Sequence, residues 1–254
     1  IQSYAALACI IIQANQNEMH GGQSIPKFDY DLAPYVSKTF IAEICKYIES
    51  VSPDDIDEEL EVFKSNLNGY HEEYDGRIMN DDGITVIRSM IENRFPYVDS
   101  KACVDKAMKY TNKETYQGME AVIHNLNTMH SRAGAQTPFS SINYGTDTSV
   151  EGRMVIENIL KALEAGLGNG EPPIFPIHIF KLKEGVNYNT TDPNYDLFKL
   201  ACKVSAKRMF PNFSKHEVNC ILIICFKLFS SHFIEFVGIQ VIVFGWAHKH
   251  IEIA

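Results

Sequence analysis

The sequence predicts an α/β fold whose first half is rich in helices, and three features of the chain support this prediction. Apolar residues recur with helical spacing over most of the first 130 positions. After position 130, apolar and polar residues alternate for the first time, as they do in a half-buried strand. From there, strand-like and helix-like segments follow one another, which is the order typical of α/β domains.

Five helices are predicted before the first strand. In the second helix, Leu32, Val36 and Phe40 belong to an apolar series with a spacing near 3.6 residues. The acidic stretch 54–61 is predicted to be the solvated face of the third helix, because acids favour the first turn. Residues 17–27 are polar and rich in glycine, and are predicted to be a loop. The helices are placed at residues 3–16, 30–49, from 52–55 onward, 82–93 and 100–130.

Two strands alternate with two helices in the second half of the chain. Residues 136–143 alternate between apolar and polar side chains, and residues 174–182 form a second apolar strand. A capping signal at 148–151 begins a helix that runs to residue 165. A tight loop is predicted at 166–173, and an Asp-Pro-Asn-Tyr sequence at 192–195 begins a helix that runs to about residue 209.

The composition is that of an ordinary globular protein, with 45% hydrophobic and 22% charged residues. A net charge of −9 argues against a general nucleic-acid surface, because phosphate binding needs clustered Lys and Arg. A local basic pocket for a nucleotide is compatible with this charge. The chain starts at Ile1 without Met and without a secretory signal. We therefore expect a piece of a longer chain, with a cytoplasmic location.

The six cysteines are scattered along the chain, which predicts buried free thiols and no disulfide framework. The closest pair has four residues between its members, and neither a second pair nor a His cluster completes a zinc site. We therefore expect no metal site. The cysteines are Cys9, Cys45, Cys103, Cys202, Cys220 and Cys225.

The character of the sequence changes after Ser214. Residues 220–226 and 239–244 are nearly continuous apolar β-formers, and no motif like those of the earlier part follows. Three interpretations stay open for residues 215–254: a single membrane-spanning helix, a buried strand pair, or sequence that never evolved to fold, such as an intron or a shifted frame. In the last case its β-prone runs would favour aggregation.

Three polar, glycine-rich motifs stand out before that point, at residues 20–24, 127–144 and 166–170. Paired glycines let backbone N–H groups approach a ligand closely, although a capped turn has the same composition. The second motif places polar groups where a helix passes through a bend into a strand, around a cavity mouth, and Arg132 there is suited to a phosphate. The third lacks the ending of a phosphate-binding P-loop and is equally a helix cap with a connecting turn.

Taken together and in order, these motifs resemble the anaerobic (class III) ribonucleoside-triphosphate reductases, a family of glycyl-radical enzymes. The resemblance covers about 210 residues and is specific because many stretches match in sequence. The matching stretches are residues 3–8, 20–26, 28–29, 32–34, 127–145, 166–176 and 192–196 through 207–211.

The resemblance implies a ten-stranded α/β barrel of two antiparallel halves, of which residues 1–214 supply a part with a helix-rich beginning. It also implies reduction of ribonucleoside triphosphates to their 2′-deoxy forms by a glycyl radical and a cysteine thiyl radical. Formate or a thiol supplies electrons, and an activase with an iron–sulfur cluster and S-adenosylmethionine installs the radical. Further implications are ATP or deoxynucleotide effectors, a homodimer, and zinc in a C-terminal domain.

The chain departs from the family where the radical residues belong. The family's thiyl cysteine lies in a Met-Gly-Cys-Arg motif soon after Pro-Asn-Phe-Ser, and here Ser214 is followed by Lys215-His216-Glu217. The second active-site cysteine precedes Ile1 by this resemblance, and the glycyl-radical loop is absent. We therefore assign no catalytic residue, and we expect a fragment that is inactive alone, with residues 215–254 as a non-homologous tail.

Site residues follow from the resemblance in two groups. The first group matches motif positions that line the substrate cavity, and the second matches a loop near the active site or the effector-binding dimer surface. Two other classes stay open: a fragment of another glycyl-radical enzyme, and a non-catalytic fragment that binds or modulates a full-length subunit. The first group is Asn127, His130, Gln136 and Ser140; the second is His20, Gly21, Gly22 and Gln23.

Overall fold

The computed structural model describes residues 1–18, 21–52, 56–130 and 136–215. Within these ranges seven helices precede and separate four short strands. The elements are α1 Gln2–Glu18, β1 Gln23–Ile25, α2 Phe28–Val51, α3 Asp57–Glu73, α4 Asp81–Arg94, α5 Ser100–Thr128, β2 Ser140–Tyr144, α6 Val150–Ala165, β3 Ile177–Leu182, α7 Tyr195–Arg208 and β4 Asn212–Lys215.

The helices form a layer whose centre is α5, which packs against α1, α2, α4 and α6. The apolar series of α2 faces this layer, and Val36, Phe40 and Ile44 are fully buried there. Side-chain caps fix the starts of α4, α5 and α6, because an oxygen of the preceding residue accepts a hydrogen bond from a first-turn N–H. The capping residues are Asn80, Asp99 and Ser149.

The four strands form one parallel sheet in the order β1-β2-β3-β4. Side chains alternate between the two faces along each strand, and residues in register on neighbouring strands share a face. Tyr144, Phe180 and Phe213 therefore lie on one face, where their rings contact each other at centroid distances of 6.0 and 5.9 Å. This face packs against the helices, since Tyr144 and Phe180 are fully buried in the common core.

The opposite face of the sheet carries mostly polar side chains, and we call it the polar face. The register joins Ser24 to Ser141, and Asn143 to Asn212 through Ile179. Most of these side chains are half-buried. The polar face is defined by Ser24, Ser141, Asn143, Lys181 and Asn212.

The predicted α/β class and all seven predicted helices are confirmed, with boundaries that differ by a few residues. The prediction of a loop over 17–27 is wrong in part, because Gln23–Ile25 pairs in parallel with β2. Two polar residues and one Ile carry no strand periodicity of their own, so only the pairing creates this strand. The two predicted strands begin later than expected, and β4 was not predicted. The sheet is compatible with the implied barrel but does not by itself extend to ten strands.

Four cysteines, Cys9, Cys45, Cys103 and Cys202, are free and buried, which confirms the prediction for them. Burial raises the pKa of each thiol, to about 12 for Cys202. Cys220 and Cys225 lie outside the described residues, as does the whole of 216–254, so the boundary after residue 214 stays a prediction. No helix in the described ranges is long and apolar enough to cross a membrane.

Candidate functional site

The carboxyl ends of the parallel strands meet at one edge of the sheet, and a network of polar side chains lies there. Its centre is the loop Gly145–Asp147, which follows β2 directly. In open parallel sheets, ligands bind at this edge, because the loops and the helix N-termini after the strands converge on it. The edge is therefore the first place to look for a site.

One buried carboxylate holds the N–H groups of this loop. Asp29 Oδ2 accepts hydrogen bonds from the backbone N–H of Gly145, Thr146 and Asp147, at 2.9, 3.0 and 3.0 Å. Asp29 stands in the first turn of α2 and is 1% exposed. Burial raises the pKa of Asp29, and the N–H donors of Asp147 and Gly145 oppose that shift.

Side chains also bind the three carbonyl groups of the loop. Tyr30 Oη donates to the Thr146 carbonyl at 3.0 Å. Asn187 Nδ2 donates to the Gly145 carbonyl at 2.8 Å, and Asn194 Nδ2 donates to the Asp147 carbonyl at 2.8 Å. Side chains thus satisfy all six backbone polar groups of Gly145–Asp147, as neighbouring strands do within a sheet.

An ion pair closes the network on the helical side. Arg77 Nη2 donates to Asp147 Oδ2 at 3.0 Å, and the guanidinium lies 5.9 Å from the centroid of the Tyr30 ring. The other oxygen of Asp147 accepts from the Ser149 N–H at 2.9 Å. The carboxylates here are therefore engaged within the protein, which gives them a structural role.

The polar face supplies groups with spare hydrogen-bonding capacity. Asn143 Oδ1 is buried and has no hydrogen-bond partner among the described residues. Lys181, one strand away, uses one of its three ammonium donors on the Pro26 carbonyl, at 2.7 Å. Burial lowers the pKa of Lys181. A buried acceptor and a partly buried ammonium on one face are suited to a polar, anionic ligand.

The structure places Asn127 as a clamp between α5 and the segment before β3. Its Oδ1 accepts from the Ile174 and Phe175 N–H groups at 2.8 and 3.1 Å, and its Nδ2 donates to the Ile123 and Phe175 carbonyls. The side chain amide is fully engaged in these contacts. Any effect of Asn127 on a substrate therefore passes through the position of the chain that enters β3.

The other three residues of the predicted substrate group have environments that differ from that of Asn127. His130 is exposed, and its carbonyl accepts from Gln13 Nε2 at 2.6 Å. Gln136 is also exposed. Ser140 is 3% exposed, shares the core face with Tyr144, and donates to the Pro138 carbonyl at 3.3 Å. Residues 131–135, with Arg132, lie outside the described residues.

The residues of the predicted loop group belong to a different surface, next to β1. His20 lies outside the described residues, and Gly21 and Gly22 lead into β1. Gln23 lines an open, mostly apolar cavity of about 350 Å³ between α1, β1 and α2. Tyr4 and Tyr35 stack at its wall with ring centroids 3.5 Å apart. This cavity lies at the outer edge strand of the sheet.

The glycine-rich segment 166–170 is a helix end and turn, which was one of its two interpretations. Gly166 ends α6 with a positive φ of 81°, where an L side chain would be strained. Arg208 from the end of α7 donates to the carbonyls of Glu164 and Gly170, at 2.6 Å each from Nη2 and Nη1. The guanidinium holds this turn.

Sequence reasoning missed the residues that hold the site, namely Asp29, Lys181, Asn187 and Asn194. Asp29 and Asn194 lie inside stretches that carried the family resemblance, and that was the only signal for them. Their contacts reach across 116 positions for Asp29 and Gly145 and 42 for Asn187 and Gly145. No local pattern encodes such pairs. Within the described ranges no group of three His, Cys, Asp or Glu side chains is placed to hold a metal ion.

Comparison with known proteins bears on the class of this chain. A family model described as anaerobic ribonucleoside-triphosphate reductase matches residues 1–235. The chain therefore belongs to the anaerobic ribonucleoside-triphosphate reductase family. The match ends inside the predicted tail.

Individual relatives agree with the family match. The chain is 38% identical over 108 residues to the anaerobic ribonucleoside-triphosphate reductase of Escherichia coli, which is 42% of this chain and 15% of that protein. It is 42% identical over 107 residues to the enzyme of that name from Enterobacteria phage T4, 42% of this chain and 18% of that protein. The matched segments thus span less than a fifth of these relatives.

Proposed function

We propose that this chain is part of an anaerobic ribonucleoside-triphosphate reductase and forms one wall of its nucleotide-binding barrel. The observation that carries the proposal is the four-stranded parallel sheet with one face covered by helices and one polar face. In a closed barrel, that second face lines the interior. The family match over residues 1–235 supports the substrate class, a ribonucleoside triphosphate.

In the proposed reaction the 2′-hydroxyl of the ribose is removed by glycyl and thiyl radical chemistry. No radical residue is assigned to this chain, so its part is to bind and orient the nucleotide. The polar face offers hydrogen bonds to sugar and phosphate oxygens through the Asn143 amide and the Lys181 ammonium. The remaining parts of the proposal are the activase, nucleotide effectors, zinc in a further domain, and assembly as a homodimer.

A binding experiment tests the first part of the proposal. The purified chain is titrated calorimetrically with each of the four ribonucleoside triphosphates, and with the matching nucleosides. We expect the triphosphates to bind and the nucleosides to bind more weakly, because much of the contact is with polar oxygens. If no binding heat is measured at millimolar triphosphate, the proposal is contradicted.

A second experiment tests the predicted substrate residues and the inactivity of the chain. His130→Ala, made here and at the matching position of an intact relative, should weaken nucleotide binding if His130 contacts the substrate. Unchanged affinity and turnover would remove His130 from the site. The chain itself, supplied with activase and formate, should form no deoxynucleotide, and its formation would show a complete active site.

A second candidate function is binding to a full-length subunit, and one observation favours it. Leu7, Ile10 and Ile11 of α1 are about half exposed, at 49%, 52% and 50%, beside the cavity that Gln23 lines. Exposed apolar groups on one helix are typical of a partner surface. Co-purification with an intact reductase that is lost in Ile10→Glu and retained in Glu18→Gln would support this function. Equal recovery of both variants would exclude this surface.

A further inference from the structure

The chain contains two Asn-Gly pairs, and the structure places them in opposite settings. Asn68-Gly69 lies inside α3, a helix of 17 residues. Asn169-Gly170 lies in the turn between α6 and β3, and Asn169 is exposed there. Because the two pairs have the same chemistry and share one molecule, a difference in their reactivity reports on the backbone around them.

An asparagine that precedes a glycine can lose its side-chain amide without an enzyme. The backbone nitrogen of the glycine gives up its proton and attacks the side-chain carbonyl carbon, which forms a succinimide ring as ammonia leaves. Water then opens the ring at either carbonyl and yields aspartate, or isoaspartate, whose backbone runs through the former side chain. Nothing is oxidised or reduced, and water is the only further reactant. Glycine favours the attack because it has no Cβ to obstruct the ring.

The turn leaves the attacking nitrogen of Gly170 free. The bonds that close the turn run from the Leu167 N–H to the Glu171 carbonyl and from the Asn169 N–H to the Leu167 carbonyl, at 2.9 and 2.6 Å. Within the described ranges the Gly170 N–H donates to no acceptor. Gly168 and Gly170 have positive φ angles of 63° and 88°. Asn169 therefore stands between two glycines, the residues that restrict its backbone least.

A fixed cation lies beside the reacting residues. Arg208 Nη1 donates to the Gly170 carbonyl at 2.6 Å, and a Cβ added to Gly170 would lie 3.9 Å from Arg208 Nη2. A nearby positive charge favours the deprotonated form of a group. The guanidinium therefore assists the loss of the Gly170 amide proton, which is the step that begins the reaction.

The helix protects the other pair. In α3 the Gly69 N–H belongs to the i→i−4 ladder, so a carbonyl one turn earlier holds its proton. The side chain of Asn68 leans toward the helix N-terminus, away from the nitrogen that follows it. Ring closure at Asn68 therefore requires local opening of α3, whereas ring closure at Asn169 breaks no helix or strand.

We infer that Asn169 is a site of spontaneous deamidation, and that the turn between α6 and β3 acquires aspartate and isoaspartate as the protein ages. Isoaspartate adds a methylene group to the backbone before Gly170 and moves the Gly170 carbonyl away from Arg208. The guanidinium then holds only the end of α6, through the Glu164 and Ala165 carbonyls.

The experiment follows both sites in one sample. The full chain is kept at physiological temperature in mildly alkaline buffer, with or without enough urea to unfold it, and is digested at intervals. Mass spectrometry measures the conversion of each asparagine to an acid, and an isoaspartyl methyltransferase labels the isoaspartate. In buffer, Asn169 should deamidate at least about tenfold faster than Asn68, because α3 must open first. In urea the two rates should converge, because neither pair keeps its structure.

Asn169→Gln is the matched variant, because the longer side chain keeps the amide and closes the ring poorly. It should abolish methyltransferase labelling of the peptide that contains the turn and leave the rate at Asn68 unchanged. Two outcomes overturn the inference. One is a ratio of the Asn169 rate to the Asn68 rate that is the same in buffer as in urea. The other is labelling of the turn peptide that persists in Asn169→Gln.

Discussion

Acid should destabilise this protein through one histidine in its core. His178 lies on β3, is fully buried, and shares the helical face of the sheet with Tyr144. Its Nδ1 is 3.2 Å from Tyr144 Oη, and its Nε2 has no hydrogen-bond partner among the described residues. A proton added to this ring would bring a positive charge into an apolar environment with one polar neighbour.

The size of the effect follows from the pKa. Burial lowers the pKa of His178 from the ordinary value of 6.5 to about 3. The unfolded chain then binds a proton that the folded chain excludes, so the stability is complete above pH 6.5 and falls as the pH drops toward 3. At about 1.4 kcal/mol per pH unit, the loss is about 2 kcal/mol at pH 5 and on the order of 5 kcal/mol at full protonation.

The assay compares denaturant unfolding of the parent chain and His178→Gln between pH 4.5 and 8. Gln keeps a polar side chain of similar reach and does not titrate, so the difference between the two profiles isolates His178 from all other groups. That difference should shrink by about 2 kcal/mol from pH 8 to pH 5. His124→Gln on α5 is the control and should follow the parent. Parallel profiles for the parent and His178→Gln would refute the reasoning.

Three further predictions concern the residues that fix the sheet edge. Asp29→Ala should lower the free energy of unfolding, measured by urea titration, by at least about 3 kcal/mol, because three buried N–H groups lose their acceptor. A decrease no larger than that of the control Asp31→Ala would contradict this. Gly145→Ala should lower the free energy of unfolding by about 1–3 kcal/mol, because φ is 120° and the new Cβ would lie 3.1 Å from the Lys181 carbonyl oxygen. An unchanged free energy of unfolding would show that the loop adapts. Arg208→Met should lower the free energy of unfolding by about 1–3 kcal/mol and speed hydrogen exchange of the amides of residues 166–170, because the carbonyls of Glu164 and Gly170 lose their donor. Unchanged exchange would show that the turn is stable without Arg208.

The helices and the glycine turn could be predicted from sequence because their causes are local. The apolar series of α2 recurs within the helix that it stabilises, and Gly166 ends a helix that an N-cap at Ser149 begins. Periodicity and caps lie within a few residues of what they determine. The predictions therefore failed mainly at boundaries, where tertiary packing decides which turn is the last.

The short outer strands and the site network could not be predicted in the same way. β1 has only three residues, two of them polar, and it is a strand only because residue 140 and its neighbours run beside it. Asn127 was predicted to contact substrate because it matches a family motif position in a polar stretch near a bend, where a side chain that clamps a backbone is also found. Nothing in the residue itself distinguishes these roles, so its predicted contact stays a prediction.

Gly145 links the two parts of the sheet edge, and this decides how variants there must be interpreted. Its N–H is held by Asp29, and a Cβ added to it would lie 3.2 Å from the Phe180 ring. Asn187 joins the Gly145 carbonyl to the Lys181 carbonyl, at 2.8 Å each, so the loop and the lysine share one backbone support. An Asp29 variant should therefore lower stability and nucleotide affinity together. Lys181→Gln should lower nucleotide affinity alone, because its carbonyl keeps the Asn187 bond and only the ammonium is lost.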